Sequence, residues 1–262
     1  MSGGRTMMQF KNYIRVASIE EAYELNQKKN NVIVGGMHWL KMAKSSMGTA
    51  IDLSGLGLDQ IVETDEQFEI GCMVSLRQLE LHEGLNTYAA YSVKNAVKDI
   101  VGVQFRNTAT VGGSIFGRYG FSDVLTVFMA MDTYVVCYNA GEIPIREYAK
   151  MKADRDIIVK LIVKKQPIKV AYIAQRHAKT DFPILACAVS CIDGVWSAVL
   201  GARPSRAQEV VIPSDITTPE EMGKYAADQL TFGTNMRGSA EYRKQIAAVL
   251  VKRAVLAAGK EQ

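Results

Sequence analysis

The chain has 262 residues, of which 48% are hydrophobic and 22% are charged, and its formal net charge is +4. This composition is ordinary for a globular protein and excludes disordered, collagen-like and coiled-coil chains, while the length favours two domains. The basic excess is small and scattered, which argues against a nucleic-acid partner, and no window of sequence is apolar enough to predict a membrane span.

The N-terminal segment and the cysteines indicate the cellular compartment in which the protein is expected. The first 16 residues carry charges throughout and lack the apolar core of a secretory signal. The four cysteines are scattered and form no CxxC pair, so we expect reduced thiols and no metal site on this chain. The sequence therefore predicts a cytoplasmic protein.

Two capping boxes mark helices in the first third of the chain. Ser18 followed by Glu21 predicts a helix through about Lys28, and Ser75 followed by Gln78 predicts a second. An apolar run over 31–34 predicts a short buried strand that stops at a Gly-Gly pair. Further strands are predicted over 50–53, 68–72, 133–138 and 156–163.

The middle of the chain reads as helical with a glycine-rich interruption. Residues 86–104 predict a helix broken at Gly102, and a glycine-rich stretch covers 110–117. Ser122 and Asp123 are suitable N-cap residues for an apolar helix over 124–131.

A change of pattern near residue 165 predicts a domain boundary. Beyond it, apolar strands over 184–192 and 195–202 flank Asp193-Gly194, the dipeptide most typical of a type I′ hairpin. Helices are predicted over 219–230 and 239–258. The apolar face of the last helix is predicted to contain Tyr242, Ile246, Val249, Leu250 and Ala257.

The familiar catalytic motifs are missing from the sequence. There is no GxSxG, HExxH or GxxxxGK(S/T) pattern, and the three histidines lie in unrelated contexts. Two Gly-Gly pairs remain, Gly35-Gly36 and Gly112-Gly113, each beside β-branched residues. Because glycine lets a ligand approach backbone N–H groups closely, the two loops together predict a clamp for a diphosphate.

Longer motifs surround both pairs. The first is VGGMHWL over 34–40, and the second is RNTATVGGSI over 106–115. A third, YRKQIAAVLVKRA over 242–254, lies near the C-terminus. In this order they resemble the FAD-binding middle subunit of the molybdenum hydroxylases, the family of xanthine dehydrogenase and carbon monoxide dehydrogenase.

The resemblance implies an α+β fold with two domains. The first is a two-subdomain FAD-binding domain of the vanillyl-alcohol-oxidase (PCMH-like) type over 7–165, with subdomains over about 7–60 and 61–165. The second, over 166–262, is a small C-terminal molybdenum-hydroxylase flavoprotein domain with a three-stranded antiparallel sheet and helices.

The resemblance also implies which residues contact FAD. The flavin contacts of the family fall on two loops, with Asp123 accepting a hydrogen bond from the polar tail of the flavin and Ile158 packing against the ring system. The loop residues are Ile33, Val34, Gly35, Gly36, Met37, His38, Trp39, Leu40, Thr110, Val111, Gly112, Gly113 and Ser114. No catalytic acid or base is expected on this chain, because the redox chemistry belongs to the cofactor.

By the same resemblance, the chain is an electron-transfer subunit. A large subunit would carry molybdopterin and a small subunit the 2Fe–2S clusters, and FAD would pass electrons to NAD⁺ or another acceptor. Purine hydroxylation of the xanthine dehydrogenase type is the expected reaction. Alternatives are a carbon monoxide or N-heterocycle dehydrogenase, a stand-alone flavin reductase, and a scaffold without FAD, which the unusual Met37-His38-Trp39 segment would favour.

Overall fold

A parallel sheet forms the N-terminal part of the computed structural model, which describes residues 8–43 and 46–259. Its strand order is β1-β3-β2. The elements are β1 (Gln9–Arg15), α1 (Ile19–Asn26), β2 (Val32–Val34) and β3 (Ser46–Asp52). The Ser18 hydroxyl accepts from the Glu21 N–H and caps α1, as predicted, although the helix ends before Lys28. The second hydrogen bond of the predicted capping box differs, since the Glu21 carboxylate accepts from the Ala17 N–H. Ala22 and Ile51, both fully buried, anchor α1 and β3 in the core.

A five-stranded antiparallel sheet follows, with the order β4-β5-β8-β6-β7. Its strands are β4 (Ile61–Glu63), β5 (Gln67–Gly71), β6 (Thr133–Cys137), β7 (Gly141–Pro144) and β8 (Ile158–Lys164). Residues of alternating position such as Phe68 and Ile70 are fully buried, which is the expected pattern when one face of a strand packs on a core.

Short helices lie between the strands of this second sheet along the chain. They are α2 (Leu76–Leu81), α3 (Glu83–Tyr88), α4 (Ser92–Val97), α5 (Val103–Thr108), α6 (Val111–Phe116), α7 (Asp123–Met129) and α8 (Ile145–Tyr148). The predicted capping box at the start of α2 is confirmed: the Ser75 hydroxyl accepts from the Gln78 N–H, and the Gln78 side chain accepts from the Ser75 N–H.

The predicted break at Gly102 is confirmed, since Gly102 is the N-cap of α5, but the prediction of one continuous helix from residue 86 to that break is wrong. The chain turns between α3 and α4 through Ala90 and Tyr91, and between α4 and α5 through Val101, all with positive φ. None of these residues is glycine or asparagine, the usual signals for that conformation, so tertiary packing sets these turns. The glycine-rich stretch over 110–117 also contains a helical turn, α6, which the sequence did not indicate.

The C-terminal sheet has four antiparallel strands in the order β12-β11-β10-β9, so the prediction of three strands is wrong. They are β9 (Ile168–Gln175), β10 (Leu185–Ile192), β11 (Val195–Gly201) and β12 (Gln208–Val211). The fourth strand, β12, is a short and partly exposed edge, so its sequence has little hydrophobic pattern. The predicted type I′ hairpin is confirmed, since Asp193 and Gly194 have φ of 49° and 80°.

Both faces of this last sheet are buried. Val170, Ala188 and Val199 join the core beneath α4 and α7, whereas Leu185, Val189 and Leu200 pack with the final helices. Those helices are α9 (Pro219–Asp228) and α10 (Ala240–Ala258). Burial on both faces explains why β10 is apolar at every position except Ser190.

The predicted apolar face of α10 is wrong in part. Tyr242 and Val249 are 39% and 43% exposed, while the buried face contains Arg243, Ala247 and Ala254. The buried face of α10 is rotated about the helix axis relative to the predicted face. The difference arises because α10 buries an arginine, a residue that a hydrophobicity pattern assigns to solvent.

The three sheets lie, in order, within 7–60, 61–165 and 166–262. The exact domain boundaries stay a prediction. Within the described ranges, no helix has the length and apolarity needed to cross a bilayer.

Candidate cofactor-binding site

The first glycine loop, residues 35–39, leaves the end of β2 and leads into a 3₁₀ turn over Leu40–Met42. It packs tightly against the chain before α6. A Cβ on Gly36 would lie 2.1 Å from the Thr108 carbonyl oxygen, and one on Gly35 would lie 2.8 Å from the Thr110 hydroxyl. The two glycine loops therefore touch each other, and glycine is required for that contact at position 36.

The backbone of this first loop offers free donors. Among the residues that the structure describes, the N–H groups of Gly35, Gly36, Met37, His38 and Trp39 have no hydrogen-bond acceptor. Met37 adopts a left-handed conformation, with φ of 58°. Successive unpaired N–H groups around such a turn form an anion-binding concavity, so this loop can bind a phosphate.

The second glycine loop differs, because its donors are used within the protein. The Val111 N–H donates to the Val74 carbonyl and the Gly112 N–H to the Cys72 carbonyl, both at 2.8 Å. The Gly113 N–H donates to the Thr110 hydroxyl that caps α6. The second loop therefore packs against the first loop and supports it. The sequence predicted a clamp in which both loops donate to the diphosphate, but the structure leaves free donors on the first loop only among the described residues.

A cleft of ≈ 220 Å³, which we call the glycine cleft, lies on one side of the first loop. Asn26, Asn31, Cys72 and Met73 contribute to its walls. It is also lined by six of the predicted site residues, namely Ile33, Gly35, Thr110, Gly112, Gly113 and Ile158.

A second cleft, of ≈ 410 Å³, lies where the first loop meets the C-terminal sheet, and we call it the aromatic cleft. Its walls include Trp39, Phe121, Phe182, Asn235 and Arg237. The ring centroid of Trp39 lies 5.7 Å from that of Phe121 and 5.8 Å from that of Phe182. Trp39 is 47% exposed, so a flat ligand can reach its ring.

The remaining predicted residues line neither cleft in the described part of the chain. They are Val34, Gly36, Met37, His38, Leu40, Val111, Ser114 and Asp123. Several of them shape the site instead of facing it, and His38 and Asp123 have clear structural partners.

His38 joins the two loops. Its Nε2 lies 2.8 Å from the Thr108 hydroxyl, and its ring stacks on Phe105 with centroids 3.8 Å apart. Burial, with a contribution from Lys41, lowers the pKa of His38. The imidazole is therefore neutral at neutral pH and acts as a packed link between the loops.

Asp123 lies at the start of α7 and is buried. Its carboxylate accepts from the Tyr172 hydroxyl and, at 2.8 Å, from the Arg176 guanidinium. Burial raises the pKa of Asp123, and the positive charge of Arg176 opposes that rise. In the structure Asp123 thus ties α7 to the C-terminal sheet, and its contact with the flavin tail stays a prediction.

Arg155 is a residue of the site that sequence reasoning missed. Its guanidinium donates to the carbonyl oxygens of Asn26, Lys28 and Asn31, and it lines the glycine cleft. It thereby fixes the end of α1 to the segment before β8. No local signal marks it, since all its acceptors lie more than 120 positions away in sequence.

Arg243 holds in place a loop that forms part of the aromatic cleft. This fully buried side chain donates to the carbonyls of Ile184, Gly233 and Gly238 and to the Asn235 side chain. Burial, together with nearby Arg237, lowers the pKa of Arg243, but a guanidinium stays charged at neutral pH. Arg243 therefore orders the loop that carries Asn235 and Arg237.

The chemistry of the site suits a flat, two-ended anionic cofactor. Free backbone donors lie between two clefts, one of them aromatic, and the described residues include no cluster of three or more metal-ligating side chains. A dinucleotide has a ring system at each end and a diphosphate between them, so the arrangement fits one.

Comparison with protein families identifies the dinucleotide. Residues 7–165 match the FAD binding domain in molybdopterin dehydrogenase, and residues 201–258 match the CO dehydrogenase flavoprotein C-terminal domain. The chain belongs to the molybdopterin dehydrogenase FAD-binding family, and the resemblance inferred from its motifs is confirmed. Its dinucleotide cofactor is FAD.

Individual relatives extend over almost the whole chain. YgfM of Escherichia coli strain K12 is 24% identical over 246 residues, which cover 91% of this chain and 93% of that protein. The nicotine 6-hydroxylase medium subunit of Paenarthrobacter nicotinovorans is 24% identical over 274 residues, covering 94% and 96%. A chain of reconstituted CO dehydrogenase from Oligotropha carboxidovorans superposes with a TM-score of 0.83 at 20% identity, covering 95% and 97%. This last similarity confirms the fold.

Proposed function

We propose that this chain is the FAD-carrying electron-transfer subunit of a molybdenum hydroxylase complex. The observation that carries the proposal is the row of unpaired N–H groups in the first glycine loop, which lies between the two clefts. Bound FAD supplies the redox chemistry, and the protein supplies binding, orientation and electrostatics.

The orientation of FAD follows from the character of the two clefts. Ile33 and Gly35 line the glycine cleft and Trp39 lines the aromatic cleft, so a single loop borders both. We place the isoalloxazine in the aromatic cleft, because it is the larger cleft and aromatic side chains stack well on flat rings. The adenine then enters the glycine cleft beside Ile158, with the diphosphate along the free N–H groups. In this orientation Ile158 packs against the adenine and not, as the resemblance implies, against the ring system of the flavin.

The Trp39→Ala variant tests this orientation. We expect it to weaken FAD binding about tenfold, or 1.4 kcal/mol, because the isoalloxazine loses a stacking partner. Binding of ADP, which has no isoalloxazine, should change less than about twofold. Titration calorimetry of both ligands measures the difference. Equal losses for FAD and ADP, or a loss for ADP alone, would contradict the orientation.

The partners and electron path are proposed by analogy with the relatives. One relative is the medium subunit of a nicotine hydroxylase, which supports assembly with a large molybdenum subunit and a small 2Fe–2S subunit. Electrons would pass from the iron–sulfur clusters to FAD on this chain and then to NAD⁺ or another acceptor, in the cytoplasm.

The substrate class we propose is an N-heterocycle. This class includes both nicotine, named in that relative, and the purines predicted from the sequence resemblance. Carbon monoxide is the second candidate, because residues 201–258 match the C-terminal domain of a CO dehydrogenase flavoprotein.

Purification of the chain from its native cells tests the function. Native mass spectrometry should find the chain together with one larger partner subunit, one smaller partner subunit and one FAD. Hypoxanthine, nicotine and carbon monoxide are then added separately under anaerobic conditions, and one of the three should bleach the flavin absorbance. If NAD⁺ is the electron acceptor, adding NAD⁺ should restore that absorbance. A chain that purifies alone and without FAD would contradict the proposal and favour a scaffold.

A further inference from the structure

One polar group at the aromatic cleft has no hydrogen-bond partner in the part of the chain that the structure describes. Arg237 lines this cleft, and its guanidinium carbon lies 5.0 Å from the centroid of the Phe182 ring. Its Nε is buried and has no hydrogen-bond acceptor among the described residues. A buried donor without an acceptor is costly, so the position is suited to a ligand that brings one.

The Arg237 side chain is otherwise weakly held. One terminal nitrogen lies 3.5 Å from an Asp181 carboxylate oxygen, at the limit of a hydrogen bond. The backbone is fixed more firmly, since the Arg237 carbonyl lies 3.0 Å from Nε2 of His177. The loop beneath is ordered by Arg243, as described above. The guanidinium is therefore presented at the cleft by a fixed backbone and retains hydrogen-bonding capacity.

The surroundings of Arg237 carry an excess of positive charge. Arg176 is paired with Asp123, and Asp181 is the carboxylate near Arg237. Within the described ranges, Arg243 has only neutral oxygen acceptors. A third carboxylate, Asp99, also acts on Arg176 and Asp123, and Lys179 lies 3.8 Å from it. The three guanidinium groups and Lys179 thus face three carboxylates, which leaves an excess of one positive charge around the cleft.

We infer that Arg237 is a cofactor-contacting residue that donates to the electron-rich edge of the isoalloxazine and favours its reduced form. This inference rests on the orientation of FAD proposed above. Reduction by two electrons with uptake of one proton leaves one negative charge on the ring, and a nearby fixed cation stabilises that charge more than it stabilises the neutral oxidised ring. Arg237 therefore raises the midpoint potential of bound FAD.

The test compares Arg237→Gln with Arg237→Lys in the full chain loaded with FAD. The control is Arg253→Gln, which removes the same charge from an exposed position on α10. Midpoint potentials are measured by anaerobic titration against reference dyes. We expect Arg237→Gln to reduce the preference for reduced over oxidised FAD at least tenfold, which lowers the potential by about 30 mV for a two-electron couple. Arg237→Lys should retain most of the wild-type potential, and Arg253→Gln should retain all of it.

Each outcome separates this inference from the function proposed above. Arg237→Gln with one bound FAD and an unchanged potential overturns the inference, and so does an equal shift in the Arg253→Gln control. Failure of the wild-type chain to bind FAD contradicts the proposed function instead. If Arg237→Gln loses FAD, the pKa of reduced FAD on the wild-type chain decides: a value below that of free reduced FAD supports the inference, and an equal or higher value overturns it.

Discussion

Replacing Gly36 with alanine is expected to weaken FAD binding at least about a hundredfold, or 2.7 kcal/mol. The added Cβ would lie 2.1 Å from the Thr108 carbonyl oxygen, which is backbone and cannot rotate away. The two glycine loops must separate to admit the methyl group, and this moves the free N–H groups away from the diphosphate. Titration calorimetry or flavin fluorescence measures the loss.

Two other glycines provide graded controls for that variant. In Gly35→Ala the new methyl group meets the Thr110 hydroxyl at 2.8 Å, and a side chain can adjust, so we expect a loss of about tenfold. In Gly102→Ala the nearest atom is the end of the Gln104 side chain at 3.6 Å, and FAD binding should be unchanged. Wild-type affinity in Gly36→Ala would show that the loop contact does not position the donors.

Replacing Arg243 with methionine is expected to lower the free energy of unfolding by at least about 3 kcal/mol. The methionine fills much of the buried space but removes a donor from four oxygen acceptors. The Gly238 carbonyl and the Asn235 side chain still accept from the N–H groups of Asn235 and Arg237, whereas the carbonyls of Ile184 and Gly233 keep no donor among the described residues. Each buried unpaired group costs roughly 1–3 kcal/mol. For a chain of this size the melting temperature should fall by about 10 °C. Thermal unfolding followed by circular dichroism measures both quantities.

The matched control for Arg243→Met is Arg253→Met. Arg253 lies on the same helix but is exposed, so its replacement should change the unfolding free energy by less than about 0.5 kcal/mol. Arg243→Lys should fall between the two, because one ammonium group cannot replace the fork of a guanidinium. Equal stability of Arg243→Met and its control would mean that the buried hydrogen bonds contribute nothing net.

Local sequence signals predicted those parts of the fold that depend on neighbouring residues. The Ser75 capping box and the Asp193-Gly194 hairpin are both confirmed, since each is made within a few residues. The turn at Tyr91 was missed, because a tyrosine with φ of 58° has no sequence signal. The rotation of α10 was missed because a buried arginine is stabilised by carbonyl groups that come from distant parts of the chain.

The site shows the same division. The Gly-Gly motifs indicated the two loops, but long-range contacts decide which loop keeps free N–H donors. The carbonyls of Cys72 and Val74 accept hydrogen bonds from the N–H groups of the second loop. Only folding brings these two carbonyls next to that loop. The aromatic cleft was also hidden, because Trp39, Phe121 and Phe182 come from three separate segments.

The central claim is that FAD lies across the first glycine loop with its isoalloxazine in the aromatic cleft. An experimental structure of the chain with FAD measures this most directly. We expect the diphosphate oxygens within hydrogen-bond distance of the N–H groups of Gly35 to Trp39 and the isoalloxazine beside Trp39 and Arg237. A diphosphate bound away from that loop, or an isoalloxazine in the glycine cleft beside Ile158, would contradict the account.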